Sequence, residues 1–285
     1  RDEMKQWEVK HLYPEVTCVL GDVARDLDRL ISVFSGVDTV LHLSAVKFIP
    51  EAEWNVLETV DVNINGSRNV AMAAIAASVK TVIGISTDKA ASTANLYGMT
   101  KAVMERMYGE FNRRSVYTNF ATCRYGNVVG STGSVIPLFK RQIEENKQIR
   151  VTDSRMSRFW LGIDEAIDLI LWSIKESEEF SGHTFISACP AMTIDSLARA
   201  VWKMNSQSPE DIIYTGIRPG EKLHESLFTE QEAPRVAVAN QGFIMAPATE
   251  TGSKLPDMMG YTSDHPRHWL TADEMIHLIN DAASV

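Results

Sequence analysis

Residues 81–101 read TVIGISTDKAASTANLYGMTK. The stretch begins with Thr81–Ile85, whose β-branched side chains predict a buried strand. A polar loop follows, and apolar residues at helical spacing then predict a helix over Met99–Phe111. A short apolar strand that leads through a loop into a helix is the repeating unit of a parallel sheet covered by helices. This stretch therefore favours an α/β fold.

The same alternation of strand and helix continues on both sides of this stretch. Strands are predicted at Val16–Leu20, Thr39–Leu43, Asn119–Cys123, 183–188 and 211–215. Helices are predicted at Asp26–Phe34, Asn55–Ala77, Val135–Glu145, 163–174, Thr193–Met204 and, after a capping box at 271–274, at the end of the chain. We expect a doubly wound parallel sheet in residues 1–188 and a smaller α/β unit in residues 189–285.

Composition excludes several classes of partner. The 285 residues carry a net charge of −9 and no run of Lys and Arg, which argues against nucleic acid as a partner. No apolar run reaches the length of a membrane span, so no membrane partner is expected. Cys18, Cys123 and Cys189 match neither a metal motif nor a disulfide framework. We therefore expect no metal and reduced thiols in a cytoplasmic protein.

Tyr97 and Lys101 are candidate catalytic residues. They stand four residues apart on a predicted helix, so their side chains share one face. An ammonium group near a phenol favours the phenolate and lowers the pKa of the tyrosine. Tyr97 is therefore predicted to act as a general base for a hydroxyl group.

Several motifs, in order, give the chain a family resemblance. Gly21-Asp22-Val23, an Asn63-x-x-Gly66 pattern, Ser86-Thr87 and the Tyr97-x-x-x-Lys101 pair resemble the extended short-chain dehydrogenase/reductase family. STDKA at 86–90, NLYGMTK at 95–101, RYGNVVGSTGSVIP at 124–137, VTDSRMSRFW at 151–160 and RPGEKLHE at 218–225 resemble, more narrowly, the inverting UDP-N-acetylglucosamine 4,6-dehydratases. The resemblance extends from residue 1 to about residue 230.

The resemblance implies a fold, a cofactor and a reaction. It implies a Rossmann-like domain in residues 1–188 that binds NADP, with NAD as the alternative, and a substrate-binding domain in residues 189–285, with 126–162 on the substrate side. It also implies a homo-oligomer that converts UDP-GlcNAc to a 4-keto-6-deoxy sugar with inversion at C5. The glycine-rich phosphate turn of this fold is absent from the printed sequence. We therefore expect a first strand, helix and second strand to precede Arg1.

Asp88 and Lys89 are the further catalytic candidates. A dehydratase needs a base that removes the C5 proton and an acid that protonates the departing C6 hydroxyl, whereas a simple reductase needs neither. We assign the C5 proton to Lys89 and the protonation of the leaving group to Asp88. Two ionisable neighbours this close titrate as a coupled pair.

Matched motifs also imply binding residues. Arg1 would follow the second strand, where a basic residue favours the 2′-phosphate of NADP, and arginine forks suit phosphate oxygens. The residues assigned to the cofactor are Arg1, Asp22, Val23, Ser44, Ala45 and Val46, with Tyr97 and Lys101. The residues assigned to the UDP-sugar are Lys47, Asn127, Ser131, Ser134, Arg158, Arg218 and Glu221.

Two other functions stay open at this point. A nucleotide-sugar epimerase or reductase of the same fold would use Tyr97 and Lys101 and leave Asp88 and Lys89 without a role. A fragment that binds nucleotide-sugar without catalysis would need none of the four. The stereochemistry of the product separates the dehydratase from the epimerase.

Overall fold

A computed structural model of the chain describes residues 2–206, 211–250 and 260–283. Its helices are α1 (Glu3–Leu12), α2 (Leu27–Val33), α3 (Ile49–Trp54), α4 (Val56–Val60), α5 (Gly66–Ala76), α6 (Leu96–Arg114), α7 (Val135–Glu144), α8 (Ile163–Lys175), α9 (Ile194–Asn205) and α10 (Ala272–Ala282). Its strands are β1 (Thr39–His42), β2 (Thr81–Ile85), β3 (Asn119–Arg124), β4 (Asn127–Val128), β5 (Ile149–Val151), β6 (Ser157–Leu161), β7 (Thr184–Ser187), β8 (Ala191–Thr193), β9 (Ile212–Tyr214), β10 (Ser226–Phe228), β11 (Val236–Ala239), β12 (Gly242–Met245) and β13 (Tyr261–Thr262).

The main sheet has the strand order β1-β2-β3-β7-β12-β11 within the described residues. The first four strands are parallel, and β12 and β11 complete the sheet in antiparallel orientation. Every residue of β2 is buried, because Val82 faces a cluster built on α5 and α6 while Ile83 faces α8. Helices on both faces of a parallel sheet confirm the predicted Rossmann-like, doubly wound fold.

The second part of the molecule packs around its own apolar cluster. Phe139 of α7, Trp160 of β6, Val201 of α9 and Ile279 of α10 are all buried there. Strands β11 and β12, however, lie in the main sheet although they fall in the predicted unit 189–285. The two predicted units therefore share this sheet, and a boundary after residue 188 stays a prediction.

Two elements differ from the sequence expectations at the start of the chain. Residues 16–20 form no strand, and Val16, Val19 and Leu20 are exposed, because no described strand lies beside them to complete a hydrogen-bonded ladder. The prediction of a strand at Val16–Leu20 was wrong. The helix α1 was not predicted, since it lacks an apolar face and has no buried residue.

The predicted helix Asn55–Ala77 contains a π-helical turn at Asp61–Asn65 between α4 and α5. Such turns redirect side chains and often occur at functional sites. Here the Asn63 side chain accepts a hydrogen bond from Val46 N at 2.7 Å and donates one to Val46 O at 3.0 Å. It also donates to Thr100 Oγ1 of α6 at 2.9 Å. Asn63 thereby fixes the chain after β1 against α6.

No helix in the described part of the chain combines the length and the apolarity needed to cross a membrane.

We expect Gly84→Ala to lower the free energy of unfolding by about 1–3 kcal/mol through overpacking. A β-carbon at Gly84 would lie 2.7 Å from Cε2 of Tyr108, whose ring is fully packed in the core. Urea denaturation measures the change. Gly109→Ala on α6 is the matched control, since the nearest heavy atom is 3.9 Å from its added carbon. Equal stability of the two variants would contradict this account of the β2–α6 packing.

Candidate functional site

A cleft of about 810 Å³ opens at the carboxyl ends of the parallel strands. Its wall includes Ala45 after β1, Thr87 after β2 and Gly126 after β3, and residues 215–225 of the second part close the other side. Ligands of open α/β sheets bind at this edge, where the chain leaves the strands as loops. The fold therefore provides a site between its two parts.

Tyr97 and Lys101 both line this cleft from the first turns of α6. The helix begins at Leu96 because the Asn95 side chain accepts a hydrogen bond from Gly98 N at 2.9 Å, which caps the free backbone donors. Gly98 has no side chain, and an added β-carbon would collide with the Lys89 carbonyl oxygen. This contact packs the start of α6 directly against the turn Asp88–Ala90.

Burial sets the charge state of Lys101. Its side chain is almost fully buried, and among the described residues its ammonium donates a hydrogen bond to the Met104 sulfur at 3.6 Å. Burial lowers the pKa of Lys101 to about 8, although the Glu105 carboxylate opposes this change. An ammonium group with so weak a partner is available to a polar ligand.

The pKa of Tyr97 shifts in the opposite direction to the sequence prediction. Burial raises it above its usual value, the charge of Asp88 raises it further, and a hydrogen bond with Thr87 lowers it. The prediction that Lys101 lowers this pKa was therefore wrong for the site without ligands. The reason is that desolvation of the phenolate outweighs the effects of neighbouring groups.

Asp88 and Lys89 form an ion pair at the base of the cleft. Lys89 Nζ donates to Asp88 Oδ1 at 3.0 Å and to Asn127 Oδ1 at 3.4 Å. Thr87 Oγ1 also donates to Asp88 Oδ1, at 2.9 Å. Lys89 lines the cleft, whereas Asp88 is fully buried behind it and does not. Only Lys89 of this pair faces the space where a ligand would lie.

A second carboxylate lies beside Lys89. Glu225 Oε1 is 3.7 Å from Lys89 Nζ and 3.9 Å from Arg158 Nε, and Glu225 Oε2 is 2.6 Å from Lys222 Nζ. Burial alone would raise the pKa of Glu225, but these three cations hold it below its usual value. Burial alone would lower the pKa of Lys89, but Asp88 and Glu225 hold it above its usual value. Both groups are therefore charged in this structure at neutral pH.

The structure places all seven predicted substrate residues at this cleft. Arg158 lines it, but its Nη1 donates to the backbone oxygens of Ser157 and Leu223 at 2.6 and 3.1 Å, and its Nη2 to that of Lys222 at 3.0 Å. The predicted substrate residues at the cleft are Lys47, Asn127, Ser131, Ser134, Arg158, Arg218 and Glu221. Their roles as substrate contacts stay predictions.

Arg218 and Glu221 pair with each other at the rim of the cleft. The Arg218 guanidinium binds Glu221 Oε1, with Nε at 2.9 Å, and the backbone N of Arg218 donates to Glu221 Oε2 at 3.0 Å. Arg218 keeps 63% of its side-chain surface exposed. It is therefore free to turn towards an anionic ligand.

Other predicted cofactor residues lie outside the cleft lining. These residues are Asp22, Val23, Ser44 and Val46, whereas Ala45 lines the cleft. Asp22 organises its own turn, since its Oδ1 accepts from Ala24 N at 2.9 Å. Arg1 lies outside the described residues. The cofactor contacts of all these residues stay predictions.

Sequence reasoning missed Glu225 and the polar contacts beneath the cleft. Glu225 is the last residue of the RPGEKLHE motif, three residues after Lys222. Its membership of this motif was the sequence feature that could have marked it as a site residue. Glu105 accepts from Ser86 Oγ at 2.6 Å and pairs with the buried Arg124. No local pattern marks Glu105, because its partners come from two different strands.

Comparisons with known proteins agree with this geometry. A family model described as "Polysaccharide biosynthesis protein" matches residues 1–247. An inverting UDP-N-acetylglucosamine 4,6-dehydratase of Campylobacter jejuni is 35% identical over 300 residues, which cover 98% of this chain and 87% of that protein. A protein of Rickettsia bellii named UDP-glucose 4-epimerase is 34% identical over 290 residues, covering 100% of this chain and 80% of its own length. The chain belongs to the polysaccharide biosynthesis protein family.

Solved structures agree on the fold of this polysaccharide biosynthesis protein. The X-ray structure of Pen from Bacillus thuringiensis has a TM-score of 0.89 and 33% identity, covering 99% of this chain and 88% of that chain. A dTDP-glucose 4,6-dehydratase from Streptomyces venezuelae, solved with NAD and TYD bound, has a TM-score of 0.70 and 16% identity. That alignment covers 99% of this chain and 84% of the other.

The cleft of this polysaccharide biosynthesis protein holds polar groups that suit a ligand with hydroxyl groups. Among the described residues no group of three His, Cys, Asp or Glu side chains could hold a metal ion. The buried Lys101 ammonium, whose hydrogen-bond partner within the described ranges is a thioether, suits a ligand with hydroxyl groups. A nicotinamide dinucleotide carries such groups on its ribose. Tyr97, Lys101 and Ala45 are the cleft residues that would hold it.

We expect Lys101→Met to raise stability at pH 7 while it abolishes activity. In the folded protein the pKa of Lys101 is about 8, below its usual value, so the native state binds this proton less tightly than the unfolded chain. The buried charge of Lys101 therefore destabilises the wild-type protein most strongly at pH 7. This destabilisation decreases as the pH rises from about 8 to about 10.5. The gain should be up to about 3 kcal/mol at pH 7 and should shrink as the pH rises through this window.

Thermal melting without ligands, measured from pH 7 to pH 10, tests this. The exposed Lys175→Met, at 81% side-chain exposure, is the control and should change little. A Lys101→Met protein that is less stable than wild type at pH 7 would show that the ammonium has a partner in the free protein.

Proposed function

We propose that the protein is an inverting nucleotide-sugar 4,6-dehydratase that acts on UDP-GlcNAc with NADP, or alternatively NAD, as cofactor. The observation that carries the proposal is the Lys89 ammonium, which faces the same cleft as Tyr97 and touches the buried carboxylate of Asp88. Elimination of water requires an acid–base pair in addition to the tyrosine base that serves the oxidation, whereas oxidation alone requires no such pair. The similarity to the Campylobacter enzyme supports the same reaction.

The first step needs a base for the C4 hydroxyl, and we assign this role to Tyr97. Because burial and Asp88 disfavour its phenolate, a positive charge close to the ring is needed. Lys101, one helical turn further along α6, is the cation that the fold provides there. A nicotinamide dinucleotide held beside Tyr97, Lys101 and Ala45 would supply the hydride chemistry at C4 and C6.

The second step needs a neutral amine and a protonated acid, and the Asp88–Lys89 pair provides both by one proton shift. Moving the proton from Lys89 Nζ to Asp88 Oδ1, 3.0 Å away, leaves an amine that removes the C5 proton and an acid that protonates the C6 hydroxyl. Since Asp88 is fully buried, its proton must pass through a side chain that it contacts, Lys89 or Thr87.

The UDP end of the substrate would lie at the opposite rim, near Arg218, Glu221 and the loop that carries Ser131 and Ser134. The Ser134 hydroxyl is buried without a hydrogen-bond partner among the residues that the structure describes, so a ligand atom would satisfy it. Three free cysteines fit a cytoplasmic location, and a homo-oligomer is part of the proposal.

The epimerase named among the relatives is the competing function. An epimerase would invert C4 and keep the C6 hydroxyl, so Asp88 and Lys89 would not be needed for proton transfer at C5. The two reactions give different products from the same substrate.

The product formed in heavy water tests the proposal. We expect the full-length protein, given UDP-GlcNAc and NADP, to form a 4-keto sugar with a C6 methyl group, one deuterium at C5 and the L-configuration. Proton NMR measures all three. A product with an intact C6 hydroxymethyl group and a full C5 proton signal would favour the epimerase.

Changing Lys89 should separate oxidation from dehydration. Lys89→Met in the full-length protein is expected to retain C4 oxidation, seen as reduced-cofactor absorbance in a single turnover. It should slow formation of the product by about 100-fold or more, because no amine then removes the C5 proton. Lys175→Met, on the exposed face of α8, is the control and should react at the wild-type rate. Wild-type product formation by Lys89→Met would refute this role.

A further inference from the structure

Glu225 is an acidic residue of the cleft to which the proposed mechanism gives no role. Its side chain is 2% exposed, and three cations from three different parts of the chain surround it: Lys89, Arg158 and Lys222. Removing a carboxylate from water is costly unless charged partners compensate for it. The Glu225 carboxylate therefore interacts strongly with the three cations that surround it.

The segment that carries Glu225 is held firmly against the catalytic turn. Asn95 Nδ2 donates to Gly220 O at 3.1 Å, and Lys222 Nζ donates to Ser92 O at 2.6 Å. The Leu223 carbonyl accepts from Ser157 N at 2.9 Å. These contacts fix the segment to the loop before α6 and to β6, so the distance from Glu225 to Lys89 is set by the fold.

The charges that act on Lys89 come from three elements. Asp88 lies on its own turn, Arg158 on β6 and Glu225 on the segment before β10. Lys222 lies behind Glu225. Arg158 opposes the ammonium of Lys89, while the two carboxylates favour it. Without Glu225, Asp88 alone would face the positive charges of Lys89, Arg158 and Lys222.

We propose that Glu225 is a positioning residue that holds the Lys89 side chain at the cleft and sets its protonation state. Glu225 offsets Arg158, so that the ammonium of Lys89 is kept until its proton passes to Asp88. The role of Glu225 in the reaction rests on the proposed function. The contact between Glu225 and Lys89 can be tested without it.

Competitive labelling of amines reports the protonation state of Lys89 directly, since only the neutral amine reacts. The free protein is treated with acetic anhydride across a pH series, and peptide mass mapping gives the pH at which Lys89 is half reactive. In Glu225→Gln we expect this midpoint to fall by about 1 unit or more, as is typical for loss of an opposite charge that lies, like Glu225 Oε1, 3.7 Å away. Glu225→Asp, which keeps the charge, should restore most of the shift.

Glu230→Gln is the matched control, because Glu230 is exposed, lies in the same part of the chain and does not line the cleft. It should leave the midpoint of Lys89 unchanged. A folded Glu225→Gln protein with the wild-type midpoint for Lys89 overturns the proposal.

Lys222→Met should shift the labelling midpoint of Lys89 in the opposite direction. This variant tests the proposal if Glu225→Gln does not fold. Loss of the cation 2.6 Å from Glu225 Oε2 leaves more of the carboxylate charge to act on Lys89. The labelling midpoint of Lys89 should then rise, and a midpoint that falls or stays constant contradicts the proposal.

Activity separates this inference from the proposed function. In the full-length protein, the Asp88–Lys89 pair needs its one shared proton, so Glu225→Gln should move the falling limb of kcat against pH to lower pH by the same amount as the labelling midpoint. A shift in labelling without a shift in kcat would confirm that Glu225 sets the charge of Lys89. It would also show that Lys89 is not the base of the reaction.

Discussion

Buried charge at the carboxyl end of β2 is the constraint on which the rest of the site depends. Asp88 is fully buried directly after the strand, and a carboxylate there is stable only if a cation lies against it. Lys89 provides that cation at 3.0 Å. Lys89 in turn requires a second carboxylate to offset Arg158, and Glu225 provides it from the second part of the molecule. The chemistry of the turn therefore cannot be separated from the packing of the two parts.

A second buried ion network joins the same two parts from below. Arg124, at the end of β3, is 1% exposed and binds Glu105 of α6 and Glu232 of the segment after β10. Its Nη1 also donates to Leu227 O at 2.9 Å. Because α6 carries Tyr97 and Lys101, this arginine ties the helix with the candidate base to the segment that follows Glu225. Loss of either partner would leave an uncompensated buried charge, which is far more costly than loss of a surface pair.

The sequence predicted those features that depend on local pattern. The β-branched, buried strand Thr81–Ile85 predicted the sheet. The spacing of Tyr97 and Lys101 predicted that both side chains share one helix face, which the structure places at the cleft. Val16–Leu20 has the composition of a strand, but whether it becomes one depends on a neighbouring strand that no local pattern reveals. The direction of the Tyr97 pKa was missed for a similar reason, since desolvation is set by side chains distant in sequence. Glu225 meets Lys89 only after the chain has folded back on itself.

The burial of polar groups that lowers the stability of the protein also orients these groups towards a ligand. Lys101 is desolvated beside a thioether, and the hydroxyl of Ser134 is buried with no hydrogen-bond partner in the described part of the chain; both residues line the cleft. Each is an unfavourable arrangement in the free protein that a polar ligand could relieve. Functional sites commonly retain such costs, and stability gained by removing them is lost as activity. A ligand that satisfies these groups therefore gains binding free energy from interactions already oriented by α6 and α7, without the entropy cost of ordering them.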